Sequence, residues 1–161
     1  MKKYVILLVV AVLSSVSCET DDRAPLLMRA TNDNFFFDAA ATVAVVDPTG
    51  GFLISGTGDT GTITLFTDGV VEGNYDFVSI TTPNYATYTN PFGDEFDSRV
   101  NAEGRGRITI TNVNENARTV SGRFRFVAFN GGSEISFRTG VFEDVSYAAS
   151  LPDDTDDGND G

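Results

Sequence analysis

The sequence predicts an all-β protein, an antiparallel β-sandwich or, as the alternative, a partly open β-barrel with minimal helix. Residue choice is the first reason: 13 Phe, 16 Gly and many Thr and Val, with no Trp and no His, favour pleated strands joined by tight turns. Turn-forming clusters recur at short intervals, which leaves no room for the helical crossovers of a parallel sheet. No segment sustains a 3.6-residue apolar period beyond a short turn at residues 39–41, so helix is minor.

The chain opens with a leader. Lys2 and Lys3 give a positive start, residues 4–13 are unbroken apolar, and residues 14–17 supply small side chains before Cys18. That is the layout of a secretory signal over residues 1–17. Its apolar run is short of the roughly 18 to 20 residues a helix needs to span a bilayer. Two cleavage readings compete. Ser15 and Ser17 fit the small-x-small pattern of ordinary signal peptidase. Against it, the single cysteine of the chain stands at the junction, followed by Glu19, Thr20, Asp21, Asp22 and Arg23.

In that placement the leader resembles a lipoprotein signal peptide, with Ser15 where that motif usually has Leu. The resemblance implies lipidation of Cys18 by a diacylglyceryl group, usually with an amide-linked acyl chain. Several chains hold firmly where one binds reversibly. The expected partner is thus a membrane, reached through the lipid anchor, and the expected location is the outer membrane, facing the periplasm or the exterior. Glu19, Asp21 and Asp22 fit a surface-export signal of some Bacteroidota lipoproteins, or a solvated tether over residues 18–25.

The β-domain is expected over residues 26–148, its first strand opening at residues 26–30. Residues 32–34, 48–51, 58–59, 68–69, 114–116 and 130–132 punctuate it with Asn, Asp, Gly and Pro, residues that tolerate positive φ or pre-set a turn. Ile63 and Leu65 alternate with Thr62 and Thr64, and Ile108 and Ile110 with Arg107, Thr109 and Thr111. Val120, Phe124 and Phe126 share one parity against Ser121, Arg123 and Arg125, and the phase changes at Val127 and Phe129. A bulge, or a strand end covered on both faces, is expected there. Across residues 130–133 the partner strand should be 134–141. Its alternation places Ile135, Phe137, Thr139, Val141, Val145 and Tyr147 on the core face, with Glu134, Ser136, Arg138 and Asp144 outside. Residues 149–161 are too polar and too alike in charge to pack, and read as a disordered acidic tail.

Charge excludes some functions. The formal net charge is −12. Removing the leader takes both lysines, leaving 9 Arg against 23 acids, or −14. Such a chain repels phosphate backbones and anionic headgroups, so no nucleic-acid partner is expected. One cysteine cannot form an intramolecular disulfide, so packing must hold the fold.

Residues 106–111 read Gly-Arg-Ile-Thr-Ile-Thr, residues 118–126 Arg-Thr-Val-Ser-Gly-Arg-Phe-Arg-Phe, and residues 135–142 Ile-Ser-Phe-Arg-Thr-Gly-Val-Phe. This order resembles a family of small Bacteroidota lipoproteins in which G-x-I-x-I-T, T-V-S-G-x-F-x-F and T-G-x-F strands recur. Residues 73–75 correspond to a weaker G-x-Y element of that family. Arg123 departs from its usual Thr, and residues 32–34 depart from its usual Asn-Gly turn. The resemblance implies location and fold, and carries no activity or site residue.

Candidate chemistry is sparse. Without His, and without Lys past the leader, triads, Schiff bases and typical zinc sites are excluded. Asp94, Glu95 and Asp97 cluster in one loop. Two such carboxylates about 5 to 9.5 Å apart would serve a glycosidase, and several oxygens would suit Ca²⁺, the one cofactor worth naming. Asp153, Thr155, Asp157 and Gly158 open an EF-hand-like spacing that ends too early and has no flanking helices. Tyr75, Tyr85, Tyr88, Phe92 and Phe96 fall near loops and could stack on a glycan, although aromatics with Thr and Val also make ordinary cores. Arg105, Arg107, Arg123 and Arg125 should share a sheet face, where pairing with acids outweighs anion capture.

The expected function is a membrane-anchored, non-catalytic binding or structural module of the cell envelope. A glycan- or Ca²⁺-binding accessory subunit of a surface complex, using Tyr85, Tyr88, Phe92, Asp94, Glu95 and Asp97, comes second. A hydrolase using Asp94 and Asp97 comes third. An open groove lined by Tyr85, Tyr88 and Phe92 would favour the binder.

Overall fold

The structure, a computed structural model, describes residues 27–78 and 81–149. The leader, Cys18, the tether and the tail beyond Ala149 lie outside the described residues. Eleven strands follow in order: β1 (Met28–Asn32), β2 (Phe36–Asp38), β3 (Ala41–Val46), β4 (Phe52–Gly58), β5 (Gly61–Thr67), β6 (Gly73–Val78), β7 (Tyr85–Thr89), β8 (Glu95–Asp97), β9 (Arg105–Asn114), β10 (Thr119–Asn130) and β11 (Ser133–Ala149). No α-helix occurs among the described residues. β11 takes in Ala149, the first residue assigned to the tail.

The strands form one continuous sheet in the order β2-β1-β11-β3-β4-β5-β7-β8-β10-β9-β6, with β11 also paired to β10. That extra pairing folds the sheet into two layers. One layer is β2-β1-β11-β10-β9-β6, antiparallel throughout. The other is β3-β4-β5-β7-β8, also antiparallel. The long strands β10 and β11 bridge the layers at their C-terminal ends, Phe129 pairing with Asp97 of β8 and Tyr147 with Ala44 of β3. The β11–β3 contact is parallel and only three residues long, so the expected antiparallel pairing holds everywhere else. The result is the expected all-β architecture, a sandwich closed at two corners.

One apolar core joins the layers. Met28, Phe37, Phe126, Phe137 and Phe142 meet Ile54, Ile63, Leu65 and Tyr88 from the facing layer. A fully buried Phe contributes about 1.5 to 3 kcal/mol, and six are fully buried here: Phe37, Phe52, Phe77, Phe126, Phe137 and Phe142.

Glycine makes room for these rings. Phe124 stands opposite Gly140, Phe142 opposite Gly122, and Phe77 and Phe126 both opposite Gly106. A Cβ on Gly140 would lie 2.3 Å from the Phe124 ring, one on Gly122 2.4 Å from Phe142, and one on Gly106 2.3 Å from Phe77. Each inward glycine of the G-x-I, S-G-x-F and T-G-x-F elements therefore seats an aromatic ring from the neighbouring strand.

The alternation expected for β11 is corrected by two bulges. Register shifts where Phe124 and Phe126 oppose Gly140 and Phe137, and again where Val120 and Gly122 oppose Val145 and Phe142. Each shift gives β11 an extra residue and reverses its facing. Phe137 is buried, Thr139 is exposed, Gly140 and Phe142 are buried, and Val145 returns to the core. Thr139 and Val141 thus lie outside. In β10, the irregularity expected at Val127–Phe129 is the strand end where it crosses between layers: Ala128 and Phe129 are both buried.

Candidate functional site

The aromatic and acidic residues singled out above do not line one groove. Tyr88 is 4% exposed. Its ring packs on Phe35, Phe96 and Phe137, and its hydroxyl donates to the carbonyl of Thr60. Burial pushes the Tyr88 phenol above its ordinary value. Tyr85 stacks on Phe66 at 5.2 Å on the outside of the other layer, with the Arg99 guanidinium 3.7 Å from its ring centre. That guanidinium also holds Asp97 through both carboxylate oxygens, at 2.6 to 3.1 Å. Hydrogen bonding to Asp97 raises Arg99 above its usual range. Asp97 is thus tied to Arg99, which also feels the charge of Glu95.

Glu95 opens β8, paired with Thr89, while Phe92 and Asp94 belong to the β7–β8 turn. Asn90 organises it: its side-chain oxygen accepts the N–H groups of Phe92 and Asp94, each at 2.9 Å, and its amide donates to the Asp94 carboxylate at 2.9 Å. Gly93 takes positive φ, 92°, which it adopts without a Cβ penalty. The turn presents Phe92 at its tip, 92% exposed. Among the described residues no three His, Cys, Asp or Glu side chains gather in a metal-holding group. The residues the expectation put together are thus split among the core, the outer wall of the second layer and a loop tip.

What the fold does gather is arginine. In β10, Val120, Gly122, Phe124 and Phe126 face the core, which turns Arg123, Arg125 and Val127 outward. By the same alternation β9 presents Arg105, Arg107 and Thr109, β6 presents Asn74, Asp76 and Val78, and β1 presents Arg29 and Thr31. β11 presents Arg138 and, through its bulge, Thr139. Six of the eight arginines among the described residues therefore decorate one face: Arg29, Arg105, Arg107, Arg123, Arg125 and Arg138.

Pairing registers set their arrangement. One row across the sheet runs Asp38, Arg29, Val141, Arg123, Thr109, Asn74. The next runs through Arg125, Arg107 and Asp76, and a third through Ser136, Val127, Arg105 and Val78. Neighbouring strands lie about 4.8 Å apart and successive rows about 6.6 Å apart. Arg107 chelates Asp76 at 2.6 and 2.9 Å. That hydrogen bonding holds the Asp76 carboxyl below the usual carboxylate range, with attraction from Arg107 and Arg125 adding to it. Arg138 reaches Asp33 at 2.9 Å. Arg105 donates to the Glu103 carbonyl, and among the described residues Arg105, Arg123 and Arg125 form no ion pair.

The expectation that these arginines share a face is right, and the expectation that acids pair them holds only for Arg107. Arg29 and Arg138 were not connected to the group from sequence. The pattern Arg-x-Arg at 105/107 and 123/125 was the available signal, and Arg138, expected outside, needed only the β10–β11 register to join it.

Three open recesses lie on this face. The largest, about 590 Å³, is bounded by Asp76, Val78, Arg105, Arg125, Val127 and Arg138. A second, about 180 Å³, lies among Arg107, Arg123, Arg125 and Arg138. The third, about 210 Å³, lies at the β1–β2 edge beside Arg29, Phe36 and Asp38.

A family model described as a domain of unknown function, DUF6252, matches residues 25–146. The chain belongs to that family. No curated protein and no solved structure matches it. The DUF6252 match starts just after the acidic residues that follow Cys18 and ends within β11, so it takes in both layers and the whole arginine face.

Proposed function

We propose that this DUF6252 protein is a non-catalytic binding module of the cell envelope, tethered by lipid on Cys18 and working through the outer face of the β2-β1-β11-β10-β9-β6 layer. The observation that carries the reading is the collection of Arg29, Arg105, Arg107, Arg123, Arg125 and Arg138 on that one face, in a chain of net charge −12. A solvated wall would scatter its few cations among its many acids. This one concentrates them, and puts Arg125 directly opposite Arg107, a like-charge pairing that weakens a sheet.

The tether rests on sequence: a positive start at Lys2 and Lys3, a short apolar run, small residues and then the single cysteine. We assign the chain on these grounds to the Bacteroidota type of lipoprotein, attached to the outer membrane. The domain needs no disulfide, since its apolar core joins the two layers by packing. Substituting Cys18→Ser tests the tether. The protein leaves the membrane fraction and loses acyl labelling, and unchanged fractionation contradicts the assignment. Copurification from detergent-solubilised membranes, with and without Arg123→Glu and Arg125→Glu together, tests the binding face. Loss of bound material in the double variant supports it, and full retention contradicts it.

The β7–β8 turn supports a second contact. Phe92 stands fully outside on a turn that Asn90 pre-organises, and a rigid exposed aromatic is the usual anchor of a protein interface.

A further inference from the structure

We propose that the recess bounded by Arg105, Arg125 and Arg138 is a site for the carboxylates of an acidic oligosaccharide, whose chain lies along the arginine rows of this sheet face. This deepens the binding-module reading and rests on it.

The geometry departs from what the fold needs. Arg125 and Arg107 face each other across β10 and β9, and the one acid in their row, Asp76, is already chelated by Arg107. Arg123 follows on the same face of β10, about 6.6 Å along the strand. Cationic repulsion of this kind is relieved by an anion that spans the rows. The recess, about 590 Å³, falls within the range of roughly 300 to 1,000 Å³ typical of small-ligand sites.

Guanidinium forks match planar carboxylates, donating two parallel hydrogen bonds to their oxygens. Between the arginines stand hydroxyls, Thr109, Thr139 and Ser136, in or beside the recesses. They suit the neutral hydroxyls of a sugar, being both donors and acceptors. Val78 and Val127 offer apolar contact in the same recess. At the far edge of the face Phe36, 74% exposed, stands beside Arg29, a ring against which the apolar side of a sugar can rest.

Charge density separates this ligand from a nucleic acid. Duplex DNA carries a charge about every 1.7 Å of its axis, far denser than arginine rows about 6.6 Å apart. The surplus phosphates would face a protein whose net charge is −12. A sugar chain with one carboxylate per unit puts its charges where the arginines are and few elsewhere.

The test is a titration of the detergent-solubilised full chain with a galacturonate hexasaccharide, followed by calorimetry. The acidic hexamer binds, its affinity falls as salt rises, and a neutral galactose hexamer does not bind. Arg125→Gln and Arg123→Gln each weaken binding at least about tenfold. Arg118→Gln, on the β9–β10 turn away from the recess, leaves it unchanged, and all three keep the parent's melting temperature within a few degrees. Equal binding of the neutral hexamer overturns the proposal. So does unchanged affinity in both Arg123→Gln and Arg125→Gln, or displacement of the sugar by DNA or inorganic phosphate at equal charge. If galacturonate fails to bind while Arg123→Glu with Arg125→Glu still abolishes copurification, the oligosaccharide assignment falls and the binding module stands.

Discussion

Adding one methyl group at Gly140 should cost more stability than removing many surface contacts. An Ala Cβ there would lie 2.3, 2.4 and 2.6 Å from three atoms of the Phe124 ring, where carbon atoms prefer about 3.5 to 4.0 Å. The ring has little freedom to yield. It is 3% exposed and stacked between Phe126 and Phe142, at 6.2 and 6.5 Å. Overpacking of a core costs about 1 to 3 kcal/mol. Replacing a strand glycine by alanine returns about 0.5 to 1 kcal/mol of backbone entropy. The net loss for Gly140→Ala then centres near about 1 kcal/mol and reaches at most about 2.5 kcal/mol, read as a lower urea midpoint by circular dichroism at constant slope. Gly73→Ala is the matched control. Nothing lies within 4 Å of its Cβ position, so it gains about 0.5 to 1 kcal/mol. Trimming the ring as well, Phe124→Leu with Gly140→Ala, should cost less than the two single losses together. Gly140→Ala as stable as the parent would refute the seating of phenylalanine on glycine as the packing device of this layer.

Three further outcomes follow from the side-chain geometry. Asp76 is depressed by its hydrogen bonds to Arg107, so its contribution to stability is present above about pH 3.9 and is lost as pH falls through the lower folded value. A carboxyl NMR titration should place Asp76 below about 3.9 and Arg107→Gln should raise it, with an unmoved midpoint counting against the pair. Tyr88 is raised by burial, so the stability it contributes persists below about pH 10 and is lost as pH rises through its folded value. Tyr88→Phe, which removes the bond to the Thr60 carbonyl, should cost about 0.5 to 1.5 kcal/mol in urea unfolding. Asp97→Ala leaves Arg99 over Tyr85 without its carboxylate. It should cost about 1 kcal/mol or less, since Arg99 is partly exposed, and a far larger loss would show a buried role for Asp97.

Alternation carried the sequence reading where strands are regular. Ile63 and Leu65, Ile108 and Ile110, and Phe124 and Phe126 all face the core as their spacing requires, and the residues 130–133 turn joins the strands it was expected to join. It misled in β11 because bulges are not written in a single strand. Phe137, Thr139 and Val141 share a parity, yet only the partner's register reveals the extra residue that turns Thr139 and Val141 outward. Arg138 was already expected outside, and the pairing of Phe126 with Phe137 sets it beside Arg125. Aromatic residues near turns were equally ambiguous: Tyr88 and Phe92 sit four positions apart, one in the core and one at a loop tip. Local spacing cannot separate them, because the difference lies in which layer closes over each ring.

The most direct test is contact mapping in intact cells with a photoreactive residue placed by substitution at Val127 or at Val43. Val127 lies amid the arginine rows of one layer, and Val43 is exposed on the outside of the other. Both variants should fold alike. Irradiation should give adducts from position 127 that Arg125→Glu abolishes, and none from position 43. Adducts from position 43 alone, or from position 127 regardless of Arg125, would contradict binding through the arginine face.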